Sequence, residues 1–173
     1  MLFRSAKSKP EHVVAVLSPN MTVEEAYLLA SFFKGLSPRT KLVLGPVPVV
    51  GEDDRYPKGP RGESPEAGQT KFTIRAEKCP NRIGVEMILR HFEGSVQGLE
   101  SLTNVEGAAW YVVGGYSFDW ASDSVSRVIS RPTLLIVQDI LPSALSERAD
   151  IVLPSASFAE REGTVVKIGR AHV

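Results

Sequence analysis

Residues 112 to 120 read VVGGYSFDW, an apolar run followed by two glycines and a Tyr-Ser pair. Glycines just after a strand let the backbone approach a ligand, and a helix starting soon afterwards turns free N–H groups toward a phosphate. Gly114, Gly115, Tyr116 and Ser117 are therefore candidate nucleotide-binding residues. The pattern is neither G-x-G-x-x-G nor a P-loop, and a tight strand-to-helix turn made by the two glycines is the competing reading. Asp139 closes a second apolar run, LLIVQD. A carboxylate there can accept hydrogen bonds from a ribose or a base edge, or can cap the turn into Ile140 and Leu141.

Other reactive side chains are more scattered. Glu160 and Glu162 flank Arg161, but with no neighbouring histidine the trio reads as a solvated charged turn rather than an acid/base pair. Glu52, Asp53 and Asp54 lie in a Pro/Gly-rich stretch without the spacing of a known cation loop. His12 and His91 have no nucleophile or ligand partner nearby in sequence, and Ser155 and Ser157 lack a G-x-S-x-G elbow. Cys79 is the single cysteine, which excludes a disulfide framework and a four-cysteine metal or iron-sulfur site. Its neighbour Lys78 would favour the thiolate if the position were exposed, but a plain loop cysteine is the leading reading. No catalytic residue and no metal ligand is assigned.

The elements that must position these residues follow from apolar patterning. VVAVL (13–17) reads as a buried strand, and the next stretch opens with Thr22 and Glu25 at capping-box spacing. Val23, Ala26, Tyr27, Ala30 and Phe33 make one helical face, with Gly35 as the expected stop. KLVLGPV supplies a second strand, so the three form a right-handed βαβ unit. From 48 to 80 prolines and glycines punctuate a charged surface excursion, with one expected strand at KFTIRA. NRIGVEMILRHFEG predicts a helix with Asn81 as cap, an apolar stripe at Val85, Ile88, Leu89 and Phe92, and Gly94 as terminator. A short helix is expected near 96–102. The last third alternates: AAWYVV strand, GGYSFDW loop, ASDSVSRVIS helix, TLLIVQ strand, PSALSERA short helix, DIVLP strand.

Two α/β stretches around an insertion predict an open, mostly parallel sheet with helices on both faces. Ligands of such sheets bind beyond the carboxyl ends of the strands. That selects Gly45-Pro46, Gly114 to Ser117, Asp139 and Pro154 to Ser157. Residues 11–166 are expected to form this domain, with an irregular insertion at about 48–80.

The 173 residues are 43% hydrophobic and 23% charged, in the range of an ordinary globular domain. Twenty basic residues balance twenty acidic ones, so no net basic field draws nucleic acid or an anionic membrane. The apolar runs fall well short of the ~20 residues a membrane-crossing helix needs. MLFRSAKSKPEH has no apolar core of signal-peptide length.

LLIVQDILPSALSERADIVLPSASFAEREGTVV resembles the molybdopterin oxidoreductase family, in which a strand ending in Asp is followed by a short helix, then A-D-[IV]-V-L-P, then an E-x-x-G-T turn. Asp139, Ala149 to Pro154 and Glu160 to Thr164 stand at those positions. LSPNMTVEEAYLLASFF, LGPVPVVGEDDRYP and FTIRAEKCPNRIGVEMILRHFEG are similar to one branch, the C-terminal region of the G subunit of bacterial NADH-quinone oxidoreductase, respiratory complex I. The resemblance implies a structural region of the peripheral electron-transfer arm, inactive alone, in a parent that carries iron-sulfur clusters elsewhere. It further implies no cofactor in this part, neighbouring arm subunits as partners, and a cytoplasmic place peripheral to the inner membrane. The alternative is part of a molybdopterin-dependent oxidoreductase binding a pterin dinucleotide. Such enzymes carry a G-x-N-P loop where this chain has Gly114-Gly115-Tyr116-Ser117, so Gly114 to Ser117 and Asp139 are expected to be a vestige of that site.

The final KIGRAHV departs from the N-x-E-G-R continuation of similar sequences. It can be encoded by AAG ATC GGA AGA GCA CAC GTC, which resembles the start of a sequencing adapter. Residues 167–173 are therefore expected to be non-native.

Overall fold

A computed structural model describes residues 13–66, 68–102, 105, 108–130 and 132–166. His12 and the 167–173 tail lie outside the described residues.

Five strands form one sheet: β1 (Val13–Leu17), β2 (Lys41–Leu44), β5 (Ala109–Val113), β6 (Leu134–Asp139) and β7 (Ile151–Pro154). Their spatial order is β2-β1-β5-β6-β7, and every neighbouring pair is parallel. The fold is therefore the expected open α/β sheet. β1 lies inside it with all five residues buried, as its unbroken apolar run requires.

Helices cover both faces. α1 (Val23–Leu36) and α2 (Arg82–Glu93) pack on the face that presents Val13, Ala15, Leu17 and Ala109. α3 (Asp123–Val128) and the 3-10 turn Leu99–Ser101 pack on the face that presents Val14, Val16, Trp110 and Val112. Phe33 and Trp110, both fully buried, anchor the two cores.

α1 starts with the capping box its sequence announced: Glu25 N–H donates to Thr22 Oγ1 at 3.2 Å, and Thr22 N–H to Glu25 Oε2 at 2.8 Å. It runs past Gly35 to Leu36 and stops because Ser37, preceding Pro38, is held extended. Ala26, Ala30 and Phe33 are buried, but Tyr27 is 46% exposed, its ring resting 5.5 Å from Phe92 of α2. α2 ends at Gly94 in the left-handed conformation, φ 74°. Asn81 precedes it without capping it. Its amide is engaged elsewhere: Nδ2 donates to Met21 O at 2.7 Å, and Oδ1 accepts from Val166 N–H at 2.7 Å.

The insertion holds the strand expected at KFTIRA, β4 (Phe72–Ile74), and a partner the sequence did not announce, β3 (Asp54–Tyr56), paired antiparallel with it. Tyr56 stacks on Phe72 with centroids 4.7 Å apart. The short helices expected near 96–102 and within PSALSERA are single 3-10 turns, Leu99–Ser101 and Ser146–Arg148.

Candidate functional site at the carboxyl edge of the sheet

From β1 the chain crosses to β2 on one side and later returns to β5 on the other. This reversal puts a crevice between the carboxyl ends of β1 and β5, the usual ligand position in such sheets. Gly114 and Gly115 follow β5 directly and lie at that end.

Asp139 organises the loop. Its Oδ1 accepts the N–H of Gly115 at 2.8 Å and that of Ile140 at 2.8 Å, and its Oδ2 accepts Trp120 Nε1–H at 2.7 Å. The residue is 6% exposed. A Cβ on Gly114 would lie 2.2 Å from Asp139 Oδ2, so only glycine fits beneath it. Gly115 has φ 85°, a left-handed conformation that disfavours other residues. Of the two roles open to Asp139 in the sequence, the turn cap is made, and the same carboxylate ties β6 to the β5 loop and to the indole.

Tyr116 turns inward. Its hydroxyl donates to Pro46 O at 2.6 Å, its ring stacks on Trp120 at 5.1 Å, and burial raises the phenol above its ordinary range. Gly45 is close to the same hydroxyl: a Cβ there would meet Tyr116 Oη at 3.2 Å. Ser117 is exposed at the mouth of the loop. Ser155 N–H donates to Asp139 O at 2.9 Å, and Ser157 N–H to Glu160 Oε2 at 2.8 Å.

From β7 the segment 155–166 runs back as a strap to the amino end of α1. Arg161 donates to Glu25 Oε2 at 2.9 Å and to Asn20 O at 2.5 Å. Thr164 donates its N–H and its hydroxyl to Glu24, at 2.8 and 2.6 Å. Val23 N–H, one of the free donors of the first helical turn, goes to Thr164 O at 3.0 Å. Gly163 passes so close that a Cβ would sit 2.5 Å from Thr22 Cγ2. The amino end of α1, the natural seat for an anion, thus holds two glutamates and a backbone carbonyl of the chain itself. Negative charge is already present where a phosphate would come.

Sequence reasoning misses Arg161, Glu24, Asn81 and Trp120 as site residues. Arg161 reads in sequence as part of a solvated turn, whereas its side chain is 18% exposed and paired. The E-x-x-G-T pattern marks the place but not its partners, which lie on a distant segment.

The remaining candidates do not converge. Asp53 pairs with Arg75 at 2.9 Å and Asp54 with Lys58 at 2.5 Å. His91 lies exposed with its ring 4.8 Å from Phe92. Cys79 is half-buried; burial first, then the nearby Glu77, pushes its thiol up, opposite to the effect expected from Lys78. Among the described residues no group of three His, Cys, Asp or Glu side chains could hold a metal ion. No described helix is long and apolar enough to cross a membrane.

A parallel, doubly wound sheet with a glycine loop after β5, braced by an aspartate at the end of β6, defines an open α/β domain. Residues 67–172 match the molybdopterin oxidoreductase family, and the chain belongs to that family. Over 93 residues, 53% of its length, the chain is 33% identical to the G subunit of NADH-quinone oxidoreductase from Shewanella oneidensis. The match spans about 10% of that relative's own length. No solved structure matches the chain.

Proposed function

We propose that the chain is a structural region of a protein like that G subunit in an NADH-quinone oxidoreductase, where it supports the peripheral electron-transfer arm and carries no pterin cofactor. The observation that carries this reading is that the polar groups at the carboxyl edge and at the start of α1 are engaged within the protein. Asp139 accepts three hydrogen bonds from Gly115, Ile140 and Trp120, and Val23 N–H, Glu24 and Glu25 at the amino end of α1 are engaged by Thr164 and Arg161. These residues fit a pterin dinucleotide poorly. Its phosphates would meet two first-turn carboxylates, and its polar edges would have to displace hydrogen bonds made inside the protein. Gly114, Gly115, Tyr116, Ser117 and Asp139 are then a vestige of the family's cofactor position, in which Gly114, Gly115, Tyr116 and Asp139 brace the β5 and β6 loops. The single cysteine fits a region apart from any iron-sulfur cluster, and clusters belong to the cysteine-bearing remainder of the parent.

Affinity purification of the longer parent from its own cells tests the assignment. Co-isolation of NADH-oxidising, quinone-reducing activity with the arm subunits is the expected result. A parent that purifies free of that activity and of iron would refute it.

A further inference from the structure

We infer that the open face beside α1 seats one amphipathic helix supplied by the remainder of the parent polypeptide. This rests on the proposal that the chain is part of a longer protein. Where α1 leaves the sheet, Leu28 (68% exposed) and Phe32 (55% exposed) form one wall of a groove of about 320 Å³, with Val113 and Gln138 in its floor. Glu25 and Arg161, paired with each other, close its upper end.

The floor continues onto β7. Ile136 and Gln138 are in register with Ile151 and Leu153, and strand neighbours in register share a face. Ile151 and Leu153 are 45% and 38% exposed, although Ile136 beside them belongs to the core under α1. From β5 across β6 to β7 is about 10 Å at the usual strand spacing, with Val113 and Ile136 buried beneath and the exposed apolar side chains on α1 and β7 at either margin. That is the width of one helix packed beside another, with axes ~8–10 Å apart.

The first three residues of β7 have the composition of a strand inside a sheet, and Pro154 ends it. Ile151, Val152 and Leu153 are apolar on both faces, and Lys or another edge-guarding charge is absent from that run. Among the described residues no strand pairs with its outer edge. Through Val113 and the partly buried Leu29 the groove is continuous with the core cluster of Phe33 and Ile136, and its one ion pair is internal. Glu25, Gln138, Ser155 and Arg161 contribute polar groups to it, but the apolar lining runs without a break into the core of this chain, as in a domain core cut open, which favours packing within one polypeptide over a transient partner. The polypeptide to supply it exists under that proposal, since the chain matches about 10% of its Shewanella relative.

Hydroxyl-radical footprinting tests this without substitution. Oxidation of Phe32 and Leu153, normalised to intrinsic reactivity, is measured in the 173-residue chain, in the parent purified alone, and in the assembled complex. Expected is ready oxidation in the short chain, loss of most of it in the parent alone, and no further change in the complex. Protection gained only in the complex would assign the groove to a different polypeptide and overturn the inference. So would protection in the short chain that grows with its concentration, which marks a second copy, or oxidation in all three. The molybdenum content of the same parent preparation reports separately on the cofactor-free reading.

Discussion

Arg161 and Glu25, 136 positions apart in sequence, meet at 2.9 Å across the carboxyl edge of the sheet. With its second nitrogen on Asn20 O, the guanidinium bridges the loop after β1, the first turn of α1 and the strap that follows β7. Arg161→Ala should lower stability by about 1–2 kcal/mol, the range for a charge-assisted hydrogen bond with one half-exposed partner. Arg161→Lys should recover only part of that, because an ammonium lacks the planar fork that reaches both acceptors. Urea midpoints of the three proteins check the order.

Glu24 makes the strap sensitive to acid. The Thr164 hydroxyl and then its N–H hold the Glu24 carboxyl down to about 2 from its ordinary 4.5. A folded-state value below the unfolded one means that the stabilisation is present above pH 4.5 and is lost as pH falls toward about 2. An NMR titration of Glu24 and Thr164 should show both moving together in that window. Glu24→Gln should abolish the Thr164 response there; a Thr164 signal still titrating in that variant would count against the pairing.

The role of Asp139 separates a brace from a ligand-binding side chain. Asp139→Ala strands the buried donor of Trp120 and the part-buried donors of Gly115 and Ile140, and the expected loss is roughly 2–3 kcal/mol, at about 1 kcal/mol for each. Gly114→Ala should also destabilise, because its Cβ would enter the carboxylate. Trp120 fluorescence should shift in Asp139→Ala. A variant as stable as the parent sequence, with unchanged fluorescence, would show that Asp139 is free for another task.

Gly163→Ala should detach the strap without unfolding the sheet. Its Cβ would meet Thr22 Cγ2, Cβ and Oγ1 at 2.5, 2.6 and 2.8 Å. Thr22→Ser removes only the first of these, so the double variant should not regain stability. Faster amide exchange at Val23 and Val166, with β1 amides unchanged, is the expected signature.

Much of the framework was legible because its signals are local. The all-apolar runs of β1, β5 and β6 are what strands buried on both faces require, and Thr22 with Glu25 marks the start of α1 within four residues. β3 was not legible, since Asp-Arg-Tyr has no strand pattern and becomes one only against Phe72–Ile74. Tyr27 lies on the helical face that its spacing assigns, yet α2 meets that face from the side and leaves the ring half in solvent. At the site, the glycine loop and Asp139 stood out by residue type. The bond of Trp120 to Asp139, and the ties that Asn81 and Arg161 make between the strap and the segment around α1, did not, because each joins positions distant in sequence, and no periodicity encodes such pairs.

Under the proposed reading, the polar groups at the family's cofactor position are engaged by the protein itself and no pterin is bound. Elemental analysis of the purified, undenatured parent, with nucleotide analysis after acid release, addresses it directly. Iron and labile sulfide with neither stoichiometric molybdenum nor a released pterin dinucleotide is the expected outcome. Molybdenum and the dinucleotide in amounts equal to the protein would contradict it.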